Sequence, residues 1–145
     1  MSMIEHALSY AAHGWAVFPV HGIVDGKCTC GNLDCSSAGK HPLFNGGCKI
    51  AKTDPQIITD WWTSYPNANI AIATGSGSGL IVIDVDDGPR KSGFASLEKL
   101  EGLHGPLPRS ACVRTGSGGL HIYLSYTNDN IRNSASTLAE HIDVR

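Results

Sequence analysis

The chain has 145 residues, 11 Lys and Arg against 13 Asp and Glu, a formal charge of −2 and 41% hydrophobic residues. That length suits one domain with a modest core, and that apolar content at low net charge excludes a disordered chain. No apolar run approaches the roughly 20 residues that span a bilayer, and the near-neutral balance excludes a generic basic nucleic-acid coat.

The N-terminus Met1-Ser2-Met3-Ile4-Glu5-His6 carries no basic region followed by a long apolar stretch, which reads as a cytoplasmic protein. Ile4, Ala7, Leu8 and Ala11 then have the spacing of an amphipathic helix over residues 4–12, stopped by Gly14. Residues 15–20 read as a buried strand closed by Pro19. Residues 21–49 are rich in Gly, Cys and Asp without periodicity, a loop that needs an internal staple. Thr53-Asp54-Pro55 reads as a helix start, because Asp or Thr caps and Pro fits the first turn. That helix carries Ile57, Ile58, Trp61 and Trp62 and ends near Tyr65-Pro66. Residues 69–74 form a strand, 75–79 a flexible glycine turn, and 80–86 the clearest strand of the chain. A helix from about Ser92 to Leu103 places Phe94, Leu97 and Leu100 on one side. Residues 111–115 and 120–126 read as strands joined by Gly116-Ser117-Gly118-Gly119, with Cys112 a small buried hydrophobe. Residues 140–145 start a further strand, so the chain reads as a piece of something longer. The order implies an α+β, or mixed α/β, class.

Several constellations carry chemistry. Asp84 and Asp86 alternate along one strand, so their side chains share a face about 6–7 Å apart. Two such carboxylates are costly to desolvate without a cation between them, though a solvated Asp-Asp-Gly turn has the same pattern. The glycines of Gly116-Ser117-Gly118-Gly119 let backbone N–H groups turn toward phosphate oxygens, and His121 and Tyr123 follow on one strand face. An ordinary glycine hairpin with an exposed His is the plainer reading. Asp143 gains meaning as a third acid, since a pair of divalent ions needs several oxygen ligands and Mg²⁺ or Mn²⁺ prefers them.

Five cysteines, an odd number, argue against a secreted disulfide framework. Cys28, Cys30, Cys35 and His41 have the donor set of a structural zinc site, with Cys48 competing for the fourth position. Gly75-Ser76-Gly77-Ser78-Gly79 is a decoy: it opens a strand, whereas nucleotide loops open a helix.

Together these residues resemble the N-terminal primase–polymerase (Prim-Pol) domain of the archaeo-eukaryotic primase superfamily, the bifunctional type of plasmids, phages and prophages. The resemblance runs through Ala7-Leu8, Gly14-Trp15-Ala16-Val17-Phe18-Pro19-Val20, Gly39-Lys40-His41-Pro42 and Trp61-Trp62. It continues through Asn69-Ile70-Ala71-Ile72-Ala73-Thr74-Gly75, Leu80-Ile81-Val82-Ile83-Asp84-Val85-Asp86, Thr115-Gly116-Ser117-Gly118-Gly119-Leu120-His121 and Ile142-Asp143.

The resemblance implies a primase-type core: a helix–strand N-terminal unit plus an RRM-like catalytic unit, with residues 21–49 as a zinc-stapled insertion. Residues 1–145 would be one catalytic domain, incomplete at its C-terminal end. Asp84, Asp86 and Asp143 would be the catalytic acids that bind Mg²⁺ or Mn²⁺. His121 would contact the incoming nucleotide's phosphates beside Ser117, Gly118 and Gly119, and Lys40 would contact phosphate or template. The implied reaction is template-directed nucleotide transfer that makes primers or extends DNA, using NTP or dNTP and a single-stranded DNA template. A downstream helicase would be the partner, with no membrane involved. Competing readings are a non-catalytic, zinc-stapled single-strand-binding module and a metal-dependent phosphohydrolase.

Overall fold

The computed structural model describes residues 1–127 and 130–145, and the chain divides into two units, residues 1–73 and 74–145. The first begins with helix α1 (Met3–Ala12), whose Ser2 cap forms a reciprocal box with Glu5. The Ser2 hydroxyl accepts the Glu5 N–H at 3.4 Å, and the Ser2 N–H donates to the Glu5 carboxylate at 2.6 Å. Helix α1 buries Ala7 and Ala11 in a cluster with Val17, Ile58 and Trp62.

Strand β1 (Val17–Val20) is buried throughout. A short hairpin, β2 (Ile23–Val24) and β3 (Lys27–Cys28), and a 3₁₀ turn at Gly47–Ile50 occupy part of the stretch whose sequence has no periodicity. Helix α2 (Pro55–Ser64) starts where the sequence predicts, with the Asp54 carboxylate accepting the N–H groups of Gln56 and Ile57. Strand β4 (Asn69–Ile72) pairs antiparallel with β1. Trp62 is 2% exposed and donates its indole N–H to the Ala68 carbonyl at 3.0 Å, so its one polar atom is satisfied.

The second unit is built around β5 (Leu80–Val85). It continues with the two-residue strands β6 (Asp87–Gly88) and β7 (Lys91–Ser92), helix α3 (Gly93–His104), β8 (Cys112–Arg114), β9 (Leu120–Ser125), β10 (Ser134–Ala139) and β11 (Ile142–Val144). Five strands form an antiparallel sheet in the order β10-β11-β5-β9-β8, with β5 in the middle. Alternation sends Ile81, Ile83 and Val85 into one apolar layer with Ile122, Ile142 and Val144, and Leu97 and Leu100 of α3 pack on it. The fold is thus mixed α and β. Among the described residues no helix is long and apolar enough to cross a membrane.

One sequence expectation is corrected, and two features stand outside what the sequence pattern predicts. Cys112 is exposed, because β8 is the sheet edge and all three of its residues face solvent. Phe94 is 36% exposed, in the first turn of α3, while Leu97 and Leu100 reach the core. Residues 134–139 form a strand that the sequence pattern does not reveal, since it is largely exposed and its register shifts against β11.

Candidate functional site

Directly opposite Asp84 stand His121 of β9 on one side and Asp143 of β11 on the other. Residues directly opposed in an antiparallel pair share a face, so His121, Asp84 and Asp143 form one row across three adjacent strands. Asp86 lies two residues beyond Asp84, held in strand extension by its N–H donating to the His141 carbonyl at 2.9 Å. The intervening Val85 points into the opposite, apolar layer and is fully buried.

Two glycines allow neighbouring segments to close on the end of β5. A Cβ on Gly93 would lie 2.3 Å from the Asp86 carbonyl oxygen, and one on Gly119 would lie 2.3 Å from the Val85 carbonyl oxygen. No other residue fits such an approach without moving backbone. The Gly119 contact seats the turn carrying Thr115, Ser117 and Gly118 beside the acids. Within it the Thr115 N–H donates to the Gly119 carbonyl at 3.0 Å, and the Thr115 and Ser117 hydroxyls lie 3.1 Å apart.

Each acid has a basic side chain of its own. Asp86 pairs with Lys91 at 2.7 Å, Asp84 with His121 Nε2 at 3.3 Å, and Asp143 with Arg145 at 2.5 Å. Asp143 also accepts the Ser136 N–H at 2.9 Å. It is the least exposed of the three carboxylates, at 15% against 24% for Asp84 and 35% for Asp86, which is why it needs the second donor. The hydrogen bond to Asp86 holds the Lys91 ammonium above the ordinary lysine range, helped by the fields of Asp86, Asp84 and Asp143. One ammonium therefore senses all three carboxylates. Carboxylate oxygens are the donor type that Mg²⁺ or Mn²⁺ prefers.

Lys91 and Arg90 are not legible as site residues in the sequence. They lie in the β6–β7 hairpin and, with Asp87, Gly88, Pro89 and Ser117, line a cleft of about 410 Å³. The available signal is two consecutive cations four residues past the acid pair. Arg145 has a simpler signal, standing two residues beyond Asp143 on the same strand face.

The second constellation belongs to the first unit. Cys28, Cys30, Cys35 and His41 have ligand atoms within 4.8 Å of one another, the one such convergence of three or more His, Cys, Asp or Glu among the described residues. Cys28 Sγ is 3.5 Å from His41 Nε2, whereas Cys48 is exposed in the 3₁₀ turn and stands outside the group. Three sulfurs and one imidazole are a donor set for tetrahedral zinc.

The Cys30 backbone N–H foremost, then that of Gly39, draws the Cys28 thiol down to about 6. Cys35 goes the other way: the Ser37 backbone N–H lowers it, but burial and the neighbouring Cys30 and Cys28 sulfurs outweigh that effect. His21 flanks the cluster, its ring 4.4 Å from that of His41 and its Nδ1 3.0 Å from the Thr29 hydroxyl. Burial, then the His41 charge, lowers its pKa. Lys40 is exposed beside His41, its N–H donating to the Ser37 carbonyl at 3.0 Å.

The family model described as bifunctional DNA primase/polymerase, N-terminal, matches residues 7–145. The matched span takes in both the acid row and the Cys/His group. No curated protein and no solved structure matches the chain.

Proposed function

The chain belongs to the bifunctional DNA primase/polymerase N-terminal family, and from that premise we propose that it carries the catalytic centre of a template-directed nucleotidyltransferase. The enzyme makes primers or extends DNA in plasmid, phage or prophage replication. The row of His121, Asp84 and Asp143 across three strands, with Asp86 one alternation further, is the observation that carries this reading.

Asp84, Asp86 and Asp143 would hold Mg²⁺ or Mn²⁺. Such ions, when bound, lower the pKa of an attacking hydroxyl and neutralise charge on a leaving pyrophosphate. The chain's own residues do the rest. His121, 3.3 Å from Asp84, is oriented by that carboxylate so that its ring faces the same side as the acids. There it contacts the phosphates of an incoming NTP or dNTP. Ser117 and the backbone of Gly118 and Gly119 supply further donors from the turn fixed on the end of β5. Lys40 contacts the template or a phosphate.

Zinc on Cys28, Cys30, Cys35 and His41 would be structural, closing a loop that buries little apolar surface of its own. A helicase, in the same protein or a separate one, is the proposed partner.

The test is incorporation of labelled dNTP on a primed single-stranded template with Mn²⁺ or Mg²⁺, alongside an Asp84→Ala/Asp86→Ala double variant. Template-dependent product that disappears in the variant supports the reading. Nucleotide hydrolysis that ignores the template replaces it with a phosphohydrolase. Zinc and single-strand binding with no metal-dependent product, in the longest natural form of the protein, replaces it with a binding module.

A further inference from the structure

We infer that Lys91 is a mobile counter-ion, which holds Asp86 in the metal-free protein and transfers to the polyphosphate of a nucleoside triphosphate when a divalent cation takes the acid row. Arg90 and Ser117 complete that phosphate site. The inference rests on the proposed role of the three acids and extends it to two residues outside the acid-and-histidine pattern.

The geometry supplies the starting position. Lys91 Nζ lies 2.7 Å from Asp86 Oδ2, and its side chain is 48% exposed, so the pair is neither locked in a core nor screened from competitors. The ammonium and a divalent cation would compete for the same carboxylate. Two cations on one carboxylate repel strongly at contact distance, so one of them leaves. Lysine, a point charge on a flexible four-carbon stem, is the partner able to relocate.

The destination is next to it. The cleft of about 410 Å³ is lined by Arg90 and Lys91 from the hairpin and by Ser117 from the glycine turn. That volume falls within the range of small-molecule sites. Arg90, Lys91 and Ser117 bring two cations and a hydroxyl to an otherwise mostly apolar wall, and such groups donate to phosphate oxygens. The lining carboxylate, Asp87, has Oδ1 3.4 Å from the Phe94 N–H at the start of α3. The hairpin is anchored at its return by the Gly93 N–H donating to the Asp86 carbonyl at 3.0 Å. Lys91 therefore pivots about a fixed base between an acid and the cleft.

Such a relay gives opposite effects on two ligands, which a purely structural ion pair would not. Mn²⁺ alone and Mn²⁺ with dTTP are the probes, on the zinc-loaded chain, read by Mn²⁺ electron paramagnetic resonance and calorimetry, which need no turnover. Lys91→Met removes the competing charge at similar length. Mn²⁺ affinity without nucleotide should rise severalfold, while dTTP affinity in the presence of Mn²⁺ should fall about tenfold, the size of one lost charge-assisted hydrogen bond. Lys91→Arg should restore dTTP binding. Arg90→Gln should weaken dTTP and leave Mn²⁺ alone unchanged.

If Lys91→Met weakens both ligands, or moves neither, the relay is wrong. Both results leave the acid row intact so long as Asp84→Asn abolishes Mn²⁺ binding. If the unaltered chain binds no Mn²⁺ that depends on Asp84, the acid-row reading falls and the relay with it. A loss of folding in Lys91→Met, seen by circular dichroism, moves the decision to Lys91→Arg and Arg90→Gln. The relay is then overturned if Lys91→Arg weakens dTTP binding or if Arg90→Gln leaves it unchanged.

Discussion

Replacing Gly119 by Ala tests how the glycine turn is held against the acid strand. The added Cβ would sit 2.3 Å from the Val85 carbonyl oxygen and 3.2 Å from the Thr115 hydroxyl. The first obstacle is backbone in the middle strand of the sheet, so no side-chain rotation relieves it. Restoring ordinary contact needs the turn to retreat by about 1 Å, and overpacking of this kind costs about 1–3 kcal/mol. For a chain of this length that is a fall of about 3–10 °C in melting temperature. His121 follows two residues later, so its 3.3 Å approach to Asp84 is strained as well. A displacement near 1 Å in a positioned group can reduce turnover about a hundredfold. Two controls lie in the same turn. At Gly116 an added Cβ would meet nothing within 4 Å and φ is not positive, so Gly116→Ala should change stability by less than about 0.5 kcal/mol. Gly118 is equally open but has φ +98°, so Gly118→Ala should cost about 1–2 kcal/mol from backbone strain alone. Thermal melts and primer extension on the three variants give the order. Gly119→Ala behaving like Gly116→Ala in both assays would refute the close-approach argument.

Cys35→Ser should abolish zinc uptake and Cys48→Ser should leave about one zinc per chain, measured by elemental analysis of the purified protein. His121→Gln should keep the fold by circular dichroism and lower primer extension about a hundredfold or more, the scale of one lost donor at developing charge. Zinc affinity should rise with pH from about 6 upward, because ligation requires thiolates. Cys28, drawn down to about 6, is already ionised at neutral pH. Its thiolate favours the folded, metal-free loop fully above the ordinary thiol range, and that contribution is lost as pH falls through about 6. Calorimetry at pH 7.5 in buffers of different ionisation heat should therefore find fewer protons released per zinc than the three thiols would supply.

What the sequence discloses follows physical period. Strand β5 is legible because an aliphatic run ends in acids spaced for one face, and α2 because Asp54-Pro55 is a capping signal that the structure uses directly. Strand β10 is not, because Ser134–Ala139 is made mostly of small residues whose pairing is set by β11 and not by any alternation of its own. Cys112 misleads because an apolar neighbourhood does not say whether a strand lies at an edge. The Cys/His spacing marks a zinc-type loop but leaves the fourth ligand open. His41 is drawn in by its carbonyl accepting the His21 N–H at 2.9 Å and by Pro42 bridging to Val20, contacts made across the loop and invisible to spacing. Lys91 escapes notice for a related reason: the partner of a long flexible side chain depends on how its hairpin closes.

The two constellations relate differently to folding. Cross-strand neighbours such as Asp84 and Asp143 sit with their Cβ atoms about 5 Å apart, where two unit charges near a protein surface repel by about 3 kcal/mol. Lys91 and Arg145 offset that repulsion at Asp86 and Asp143, and His121 lies against Asp84. The apolar layer on the other face, with Val85 and Ile142 fully buried, owes nothing to a cation. The sheet is thus self-sufficient, and on the proposed reading a divalent ion would exchange partners on it without being needed to form it. The Cys/His loop stands the other way round. Of its sulfur ligands Cys28 alone is buried, no apolar cluster forms around it among the described residues, and its neighbouring thiols oppose one another's ionisation. Removing zinc should therefore melt the loop locally, whereas removing Mg²⁺ or Mn²⁺ should leave the acid face folded with its own cations in place.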